Sequence, residues 1–558
     1  MEPFLQTPPR LPDAWMSDRP LQETLRFYLG DRAGRAEPLL AELGAWATDP
    51  ATLAKVMQAE SELPTLTHYG TWGERIDRID VSDAYTHLGK EGVRRGVVAQ
   101  AYESEPFGEL SRVVWAALIY LWGPSSALYS CPIAMTDAAA RTLLAYGDAE
   151  DAAVAERLIS RDPEHAWTSG QWMTETAGGS DVGRTGTVAR REGDAWRLYG
   201  LKWFTSATTS EVALTLARPE GAPQGSRGLG LFRIHRNLED GSPNAIFVRR
   251  LKDKLGTRSM PTAELELDGA LAYPVGDPSD GRGVAKISTM LNITRLHNGL
   301  ASAAALARGI AWARAFARTR EVFGARLDAQ PAHLATLADL AVDHQAALAL
   351  CMRCAYLLGR VEAGVATDQE IAVLRGLTPV TKLTTARWAV AGTTEAMECL
   401  GGVGYCEDSG LPALVRNSHV LPIWEGTTNV LSLDLLRADQ RSGAVAAVLD
   451  DVERACSAAE DHPASTAITA AIRDASRELK KRMDQVGNDE EAQVAARSAA
   501  MSLGSIYACA LLAEQGSWAA SNGDDRTLSA ARRMVRRGLL APEAPDDLQL
   551  AMDATEAR

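Results

Sequence analysis

The amino-acid sequence predicts a mainly helical protein built around one central β-domain. Long apolar runs at helical spacing fill the first third of the chain and return after about residue 284. Between about residues 171 and 283 the segments shorten, β-branched residues alternate, and Gly, Pro and Asp punctuate them. At 558 residues the chain exceeds what one hydrophobic core supports, so two to four domains are expected. The pattern divides it into 1–170, a helical domain with a leader arm; 171–283, a β-domain; 284–443, a helical bundle; and 444–558, a helical extension.

The leader carries Pro8, Pro9 and Pro12, which predict an extended arm lying on the surface or on a neighbouring subunit. Leu39–Ala47 and Val113–Trp122 have helical apolar spacing, and His68–Val81 between them reads as a loop. In the β-domain the strand candidates are Ala195–Tyr199, Val212–Ala217, Gly230–His235, Ala245–Arg249 and Ala263–Leu267. Short strands at that spacing suggest a small sandwich or barrel. They do not alternate with helices, and no GxGxxG follows a strand, which excludes a Rossmann dinucleotide site. Leu300–Arg318 and Leu334–Leu358 are long enough to pack as a bundle. The segment after Gly443 is Ala-rich and helical, with an acidic tail.

Hydrophobic residues at 46% and charged residues at 23% are ordinary for a soluble globular protein. A net charge of −14 argues against a generally nucleic-acid-binding surface. The start lacks a basic segment followed by an apolar one, so no secretory signal is expected, and the most apolar run, Val113–Trp122, is too short to span a bilayer. Seven scattered cysteines suit a reducing compartment. Cys351 and Cys354 are spaced CxxC, but with no second Cys/His pair nearby they read as packing residues rather than a metal site. A cytoplasmic protein without metal or membrane attachment is expected.

Leu421–Arg437, LPIWEGTTNVLSLDLLR, places one carboxylate, Glu425, where an irregular segment meets a helix. Gly426 permits close backbone approach to a ligand, and Thr427 and Thr428 can cap the helix. The helix dipole favours the Glu425 anion while an apolar collar of Ile423 and Trp424 disfavours it, the tuning a general base needs. Taken alone, an ordinary structural glutamate accounts for the position. A second segment, Met173–Val182, MTETAGGSDV, lies where helices give way to strands, and its paired glycines form a nest suited to a phosphate or a flavin edge. Taken alone, it is a common turn.

Together with Gly200–Ser206 (GLKWFTS), Arg320–Gln330 (REVFGARLDAQ) and Leu400–Tyr405 (LGGVGY) followed by IWEGT, this segment resembles the acyl-CoA dehydrogenase family. The segments fall in the family's order over roughly residues 50–440. The long C-terminal extension, the KWF spelling and GYCED resemble its AidB-like branch, flavoproteins linked to the adaptive response to alkylation damage. The resemblance implies the family's fold, FAD as cofactor, an acyl-CoA substrate, and a homo-oligomer arranged as a dimer of dimers. It also implies electrons leaving for an electron-transfer flavoprotein or oxygen.

By resemblance, Glu425 is the base that removes the α-proton of the thioester, and its backbone N–H helps to hold the thioester carbonyl. Met173, Thr174, Glu175, Gly179 and Ser180 would wrap the flavin, with Thr174 near the pyrimidine edge and Ser180 near the pyrophosphate. Phe204 would lie against the isoalloxazine, where most members have Trp, with Thr205 beside it. Ser206 would replace a Thr that hydrogen-bonds near N5. Arg320 would reach the pyrophosphate of the neighbouring subunit's FAD, and Phe323 and Gln330 would bracket its adenosine. Gly401 and Gly402 would admit that cofactor closely, and Asn429 would complete the adenine side. Glu398 stands where the family often has Gln, which puts one adenosine contact in doubt. Arg295 would contact the CoA portion or order the site. Arg437 is placed to pair with a carboxylate, and pairing with Glu425 would weaken the base.

The AidB-like resemblance carries an alternative, a DNA-binding or DNA-protecting flavoprotein with vestigial turnover. Its candidate contacts are Arg532, Arg533, Arg536 and Arg537, at i, i+1, i+4 and i+5 on one helix face. The competing reading is a solvated stripe paired with Asp524, Asp525, Asp546 and Asp547 nearby in sequence.

Overall fold

The computed structural model describes residues 6–543. The leader runs along the protein's own bundle, where Gln6 Oε1 accepts a hydrogen bond from Arg320 Nη1 at 3.1 Å. Seven helices follow: α1 (Arg19–Leu29), α2 (Ala33–Thr48), α3 (Pro50–Ser61), α4 (Asp83–Arg94), α5 (Ser111–Trp122), α6 (Ser130–Tyr146) and α7 (Ala149–Leu158). Asp18 and Asp49 cap α1 and α3, each with proline in the first turn. Every residue of α5 is buried, as its unbroken apolar run requires.

His68–Val81, expected to be a loop, contributes instead to a hairpin of β1 (Thr65–Tyr69) and β2 (Arg75–Asp80). The run of charges hides the alternation, because Asp77 as well as Ile79 points inward. Asp77 Oδ2 accepts from Val248 N at 2.9 Å, and Arg75 Nη2 donates to Val248 O at 3.0 Å. Side chains thus stitch the hairpin to the β-domain.

The β-domain contains β3 (Ser169–Gln171), β4 (Val188–Glu192), β5 (Ala195–Ser206), β6 (Val212–Pro219), β7 (Gly230–His235), β8 (Ile246–Leu251) and β9 (Thr262–Pro274). Its order is β3-β6-β4-β5-β9-β7, and a further β6–β7 pairing closes the sheet on itself, with β8 added on β9. The five expected strands are present, Gly230–His235 with the expected bounds and the others with longer or slightly shifted ends. β3 is too short, and β4 too charged (VARRE), for their alternation to show in the sequence. The β5–β9 register shifts between Lys202 and Thr205, a bulge that re-aims Trp203 and Phe204. Trp203 N donates to Thr174 O at 2.9 Å, tying this bulge to the glycine loop.

Three long helices, α8 (Gly283–Ala317), α9 (Pro331–Glu362) and α10 (Asp368–Glu398), form the bundle. A short hairpin, β10 (Glu321–Val322) with β11 (Ala325–Arg326), joins the first two. The short α11 (Leu411–Ser418) leads into the base-bearing turn and α12 (Thr428–Ser442), which stops at Gly443 in the left-handed conformation. The extension is α13 (Ala444–Ala459), α14 (Thr466–Asp484), α15 (Asp489–Ser521) and α16 (Arg526–Arg537). One apolar cluster runs from α1 and α5 through α8–α10 into α13–α16, so the extension shares the bundle's core. Its seam carries a buried ion network: Arg353 Nη2 meets Asp451 Oδ1 at 2.8 Å, beside Tyr507 and the Arg454–Glu514 pair. Cys351 and Cys354 are buried in α9. By length and composition α9 and α15 could cross a membrane; here both are core helices, more than half buried.

Candidate functional site

Thr427 caps α12, accepting from Val430 N. Just before it, Glu425 has φ +56° and Gly426 φ +104°. A Cβ at Gly426 would approach Leu431 to 2.9 Å, so only glycine fits. A left-handed glutamate costs on the order of 1 kcal/mol and persists because its surroundings hold it. Lys382 Nζ, from α10, donates to Gly426 O at 2.7 Å. Arg295 Nε, from α8, lies 3.4 Å from Glu425 O and is itself fixed by Asp434 at 2.9 Å, a carboxylate shared with Arg375. Asn298 Nδ2 donates to Leu421 O at 3.1 Å. With these carbonyls engaged, the Glu425 N–H meets no acceptor among the described residues.

The Glu425 carboxylate accepts from Thr294 Oγ1 at 2.6 Å, and Gln171 Nε2 stands 3.5 Å from both its oxygens. Gln171 ends β3, two residues before Met173, so the carboxylate faces the segment that leads into the glycine loop. Lys382 is wholly buried, and burial pushes its ammonium down to about 7, with Glu425 opposing the shift and Arg295 adding to it. The expected apolar collar is only half present. Trp424 packs inward, but Ile423 is an exposed side chain, because the turn throws it outward. Arg437 is exposed on α12 and makes no ion pair among the described residues, so it does not pair with Glu425. Of the two roles expected for Arg295, ordering the site is the one its contacts show.

In the glycine loop Met173 is buried, Thr174 half-buried, and Gly179 and Ser180 lie open on the surface. Glu175 differs from expectation. Its carboxylate is buried and accepts from Gly186 N, Thr187 Oγ1 and Lys202 Nζ, the last at 2.8 Å, so it holds the loop's shape instead of touching a ligand. Thr205 differs likewise, since its buried hydroxyl donates to Ala263 O at 2.7 Å within the sheet. Phe204 presents a ring that is 50% exposed, and Ser206 Oγ lies half-buried beside Thr262 Oγ1.

The residues assigned to a neighbouring subunit's cofactor lie on the surface. Phe323 is completely exposed at the tip of the β10–β11 hairpin, Arg320 is half-buried against Gln6, and Gln330 immediately precedes α9, its side chain donating to Val322 O. Gly401 and Gly402 are exposed beside Tyr405. Asn429 departs from this group, because its Oδ1 accepts from Arg497 of the extension at 3.2 Å. The arginine stripe of α16 is divided. Arg533 and Arg537 pair with Asp339 and Asp343 of α9, each at 2.8 Å, while Arg532 and Arg536 stay exposed. These partners are distant in sequence, and Asp524 is engaged by Arg19 and Arg526 instead, while Asp546 and Asp547 lie outside the described residues.

A cavity of about 290 Å³ lies between α3, the turn before α6, α8 and α11. Leu421, four residues before the base, is in its wall, together with Ala301, Ala305, Arg308 and Trp312 of α8. These four lie 7, 11, 14 and 18 residues beyond Thr294, on the helix face that meets Glu425. Ser130 lines the same cavity, and its neighbour Cys131 has a thiol pushed up to about 12 by burial, with the Glu425 charge contributing. The cavity thus lies alongside the turn that carries Glu425, which is not itself in the lining.

Sequence reasoning missed Gln171, Thr294 and Lys382. Lys382 had a usable signal, a lone lysine inside the uncharged stretch Leu377–Ala386. Thr294 and Gln171 had none, since a Thr in a helix and a Gln before Trp are unremarkable until folding places them against Glu425.

A family model described as "Acyl-CoA dehydrogenase, C-terminal domain" matches residues 281–438, and "Acyl-CoA dehydrogenase, middle domain" matches 170–270. "Adaptive response protein AidB N-terminal domain" matches 6–164, and "Acyl-CoA dehydrogenase 11 C-terminal domain-like" matches 444–553. Acyl-CoA dehydrogenase family member 11 of Caenorhabditis elegans is 46% identical over 446 residues, 78% of this chain and 72% of that protein. The putative acyl-CoA dehydrogenase AidB of Escherichia coli is 33% identical over 75% of this chain and 77% of that one. The crystal structure of C. elegans ACDH-11 in complex with C11-CoA superposes with a TM-score of 0.94 at 39% identity, covering 100% of this chain and 98% of that chain. The chain belongs to the acyl-CoA dehydrogenase family, on its AidB-like side.

Proposed function

We propose that the protein is an FAD-dependent acyl-CoA dehydrogenase that converts an acyl-CoA to its 2-enoyl-CoA with Glu425 as base. The observation that carries this reading is the Glu425 turn. A lone carboxylate faces the β3 segment four residues beyond Leu421, which lines the apolar cavity, and the same residue's N–H is unengaged among the described residues. The residues present fit FAD. The open Gly179–Ser180 backbone suits a pyrophosphate, and the half-exposed Phe204 ring, re-aimed by the bulge, suits a flat ring system. FAD, when bound, supplies the acceptor for the β-hydrogen as hydride.

The chain's own residues perform the rest. The Glu425 N–H donates to the thioester carbonyl and stabilises the negative charge that develops there. The carboxylate takes the α-proton once substrate displaces its hydrogen bond to Thr294. Lys382 and Arg295 fix the two carbonyls of the turn, so the donor and the base keep their relative aim. The C11-CoA complex of the C. elegans relative supports an acyl thioester as substrate. Phe323 and Tyr405, exposed beside Arg320 and Gly401, support a homo-oligomer, a tetramer by family pattern, that shares its cofactor sites. Electrons then leave for an electron-transfer flavoprotein or oxygen.

Glu425→Gln is expected to keep FAD bound and abolish flavin bleaching by acyl-CoA in an anaerobic titration. Bleaching at the wild-type rate would remove Glu425 from the mechanism.

A further inference from the structure

Arg308 is the one cation in the wall of the cavity beside the base among the described residues. Its Nη2 donates to Ser125 Oγ at 2.8 Å and to Ala47 O, in the last turn of α2, at 3.2 Å. No carboxylate forms an ion pair with it among the described residues, and burial alone, with no neighbouring charge, draws its guanidinium down to about 10. Its Nε and Nη1 donate to no partner among the described residues, and Arg308 also lines a second cavity of about 140 Å³. A partly buried cation without a counter-ion is held at a cost that a ligand anion would relieve.

The position specifies which anion. Arg308 lies fourteen residues beyond Thr294 on one stripe of α8, about 21 Å along the axis. The walls between are chiefly apolar: Ala301, Ala305, Leu128 and Leu421. Glu60 and Asp408 also line the cavity, but Glu60 is engaged with Asn417 at 3.0 Å and Asp408 is exposed on the surface. A ligand filling this space has a thioester at one end, a hydrocarbon middle and a negative charge at the other.

We propose that Arg308 receives a carboxylate at the far end of the acyl chain, so that this cavity selects ω-carboxylated long-chain acyl-CoA thioesters. The selection rests on the dehydrogenase reading for its chemistry, but not for the binding itself. Arg308→Met removes the charge while keeping the apolar stem, and Arg308→Lys retains a charge with a different reach.

The test is calorimetric binding to the holoenzyme of paired acyl-CoAs, from about ten to about eighteen carbons, with and without an ω-carboxylate. Anaerobic flavin bleaching is followed in parallel. The wild type is expected to bind the carboxylated member of the longer pairs about tenfold or more tightly. Arg308→Met is expected to reverse that preference while binding short unsubstituted acyl-CoAs as before, and Arg308→Lys to restore part of it. Equal binding of both members by the wild type, or an unchanged ratio in Arg308→Met, would overturn the proposal while leaving the dehydrogenase reading intact. A carboxylate preference in binding without bleaching by any acyl-CoA would support Arg308 as the receptor and sink the dehydrogenase reading.

Discussion

Lys382 shows how much of this site depends on one buried atom. Its Nζ meets the Gly426 carbonyl at 2.7 Å, and no other described residue does so. Lys382→Met leaves that carbonyl unpaired and should lower the rate of flavin bleaching by about 10- to 100-fold, the worth of one charge-assisted hydrogen bond, with FAD retained. Because burial draws the ammonium from 10.5 to about 7, the wild-type pH–rate profile should carry a step near pH 7 that this variant lacks. The sign for stability is the reverse of an ion pair's. The folded state binds fewer protons than the unfolded state between about 7 and 10.5, so the burial penalty is complete below 7 and fades as pH rises through that window. A stopped-flow pH series on both proteins checks the step. Glu425 was legible in the sequence because a carboxylate beside glycine and threonine at a helix start is a local pattern. Lys382, Thr294 and Gln171 come from three other elements and carry no local pattern to read.

Elements decide where such residues are aimed. The bulge in β5 turns Phe204 outward while Thr205 and Lys202 turn inward, and the glycine loop is set by Glu175 reaching Lys202 and Thr187. A strand assignment from alternation finds β5 but not its bulge, which exists only as a mismatch with β9. For the same reason the hairpin β1–β2 escaped notice, since its inward Asp77 makes sense only with Val248 opposite. The extension offers a test at this scale. Asp451 of α13 accepts from Arg353, Arg454 and Tyr507. Asp451→Ala strands a buried arginine and should cost about 3 kcal/mol or more, seen as a lowered Tm. The conserved-charge variant Asp451→Glu serves as the control. If the extension were an independently folded appendage, the bundle's Tm would not move.

The whole molecule weighs against the alternative function. Its net charge of −14 is unfavourable to nucleic acid, and α16 has turned Arg533 and Arg537 onto Asp339 and Asp343. Of the four, only Arg532 and Arg536 are without an ion pair among the described residues, too few free phosphate contacts for strong duplex binding. The purified protein is expected to show no retention of duplex DNA at low salt. Micromolar binding that weakens steeply with added salt would bring the DNA reading back.

By itself the sequence determined the helical and β-rich regions, the base, and the loops that suit a flavin, because periodicity, glycines and short motifs are properties of neighbours along the chain. Only the tertiary structure decided that Glu175 and Thr205 are spent inside the protein, that Asn429, Arg533 and Arg537 pair with distant partners, and that Arg308, without an ion pair among the described residues, lines the cavity. Those facts depend on charges and carbonyls brought together from hundreds of residues apart, and electrostatic pairing at such separations leaves no trace in local composition.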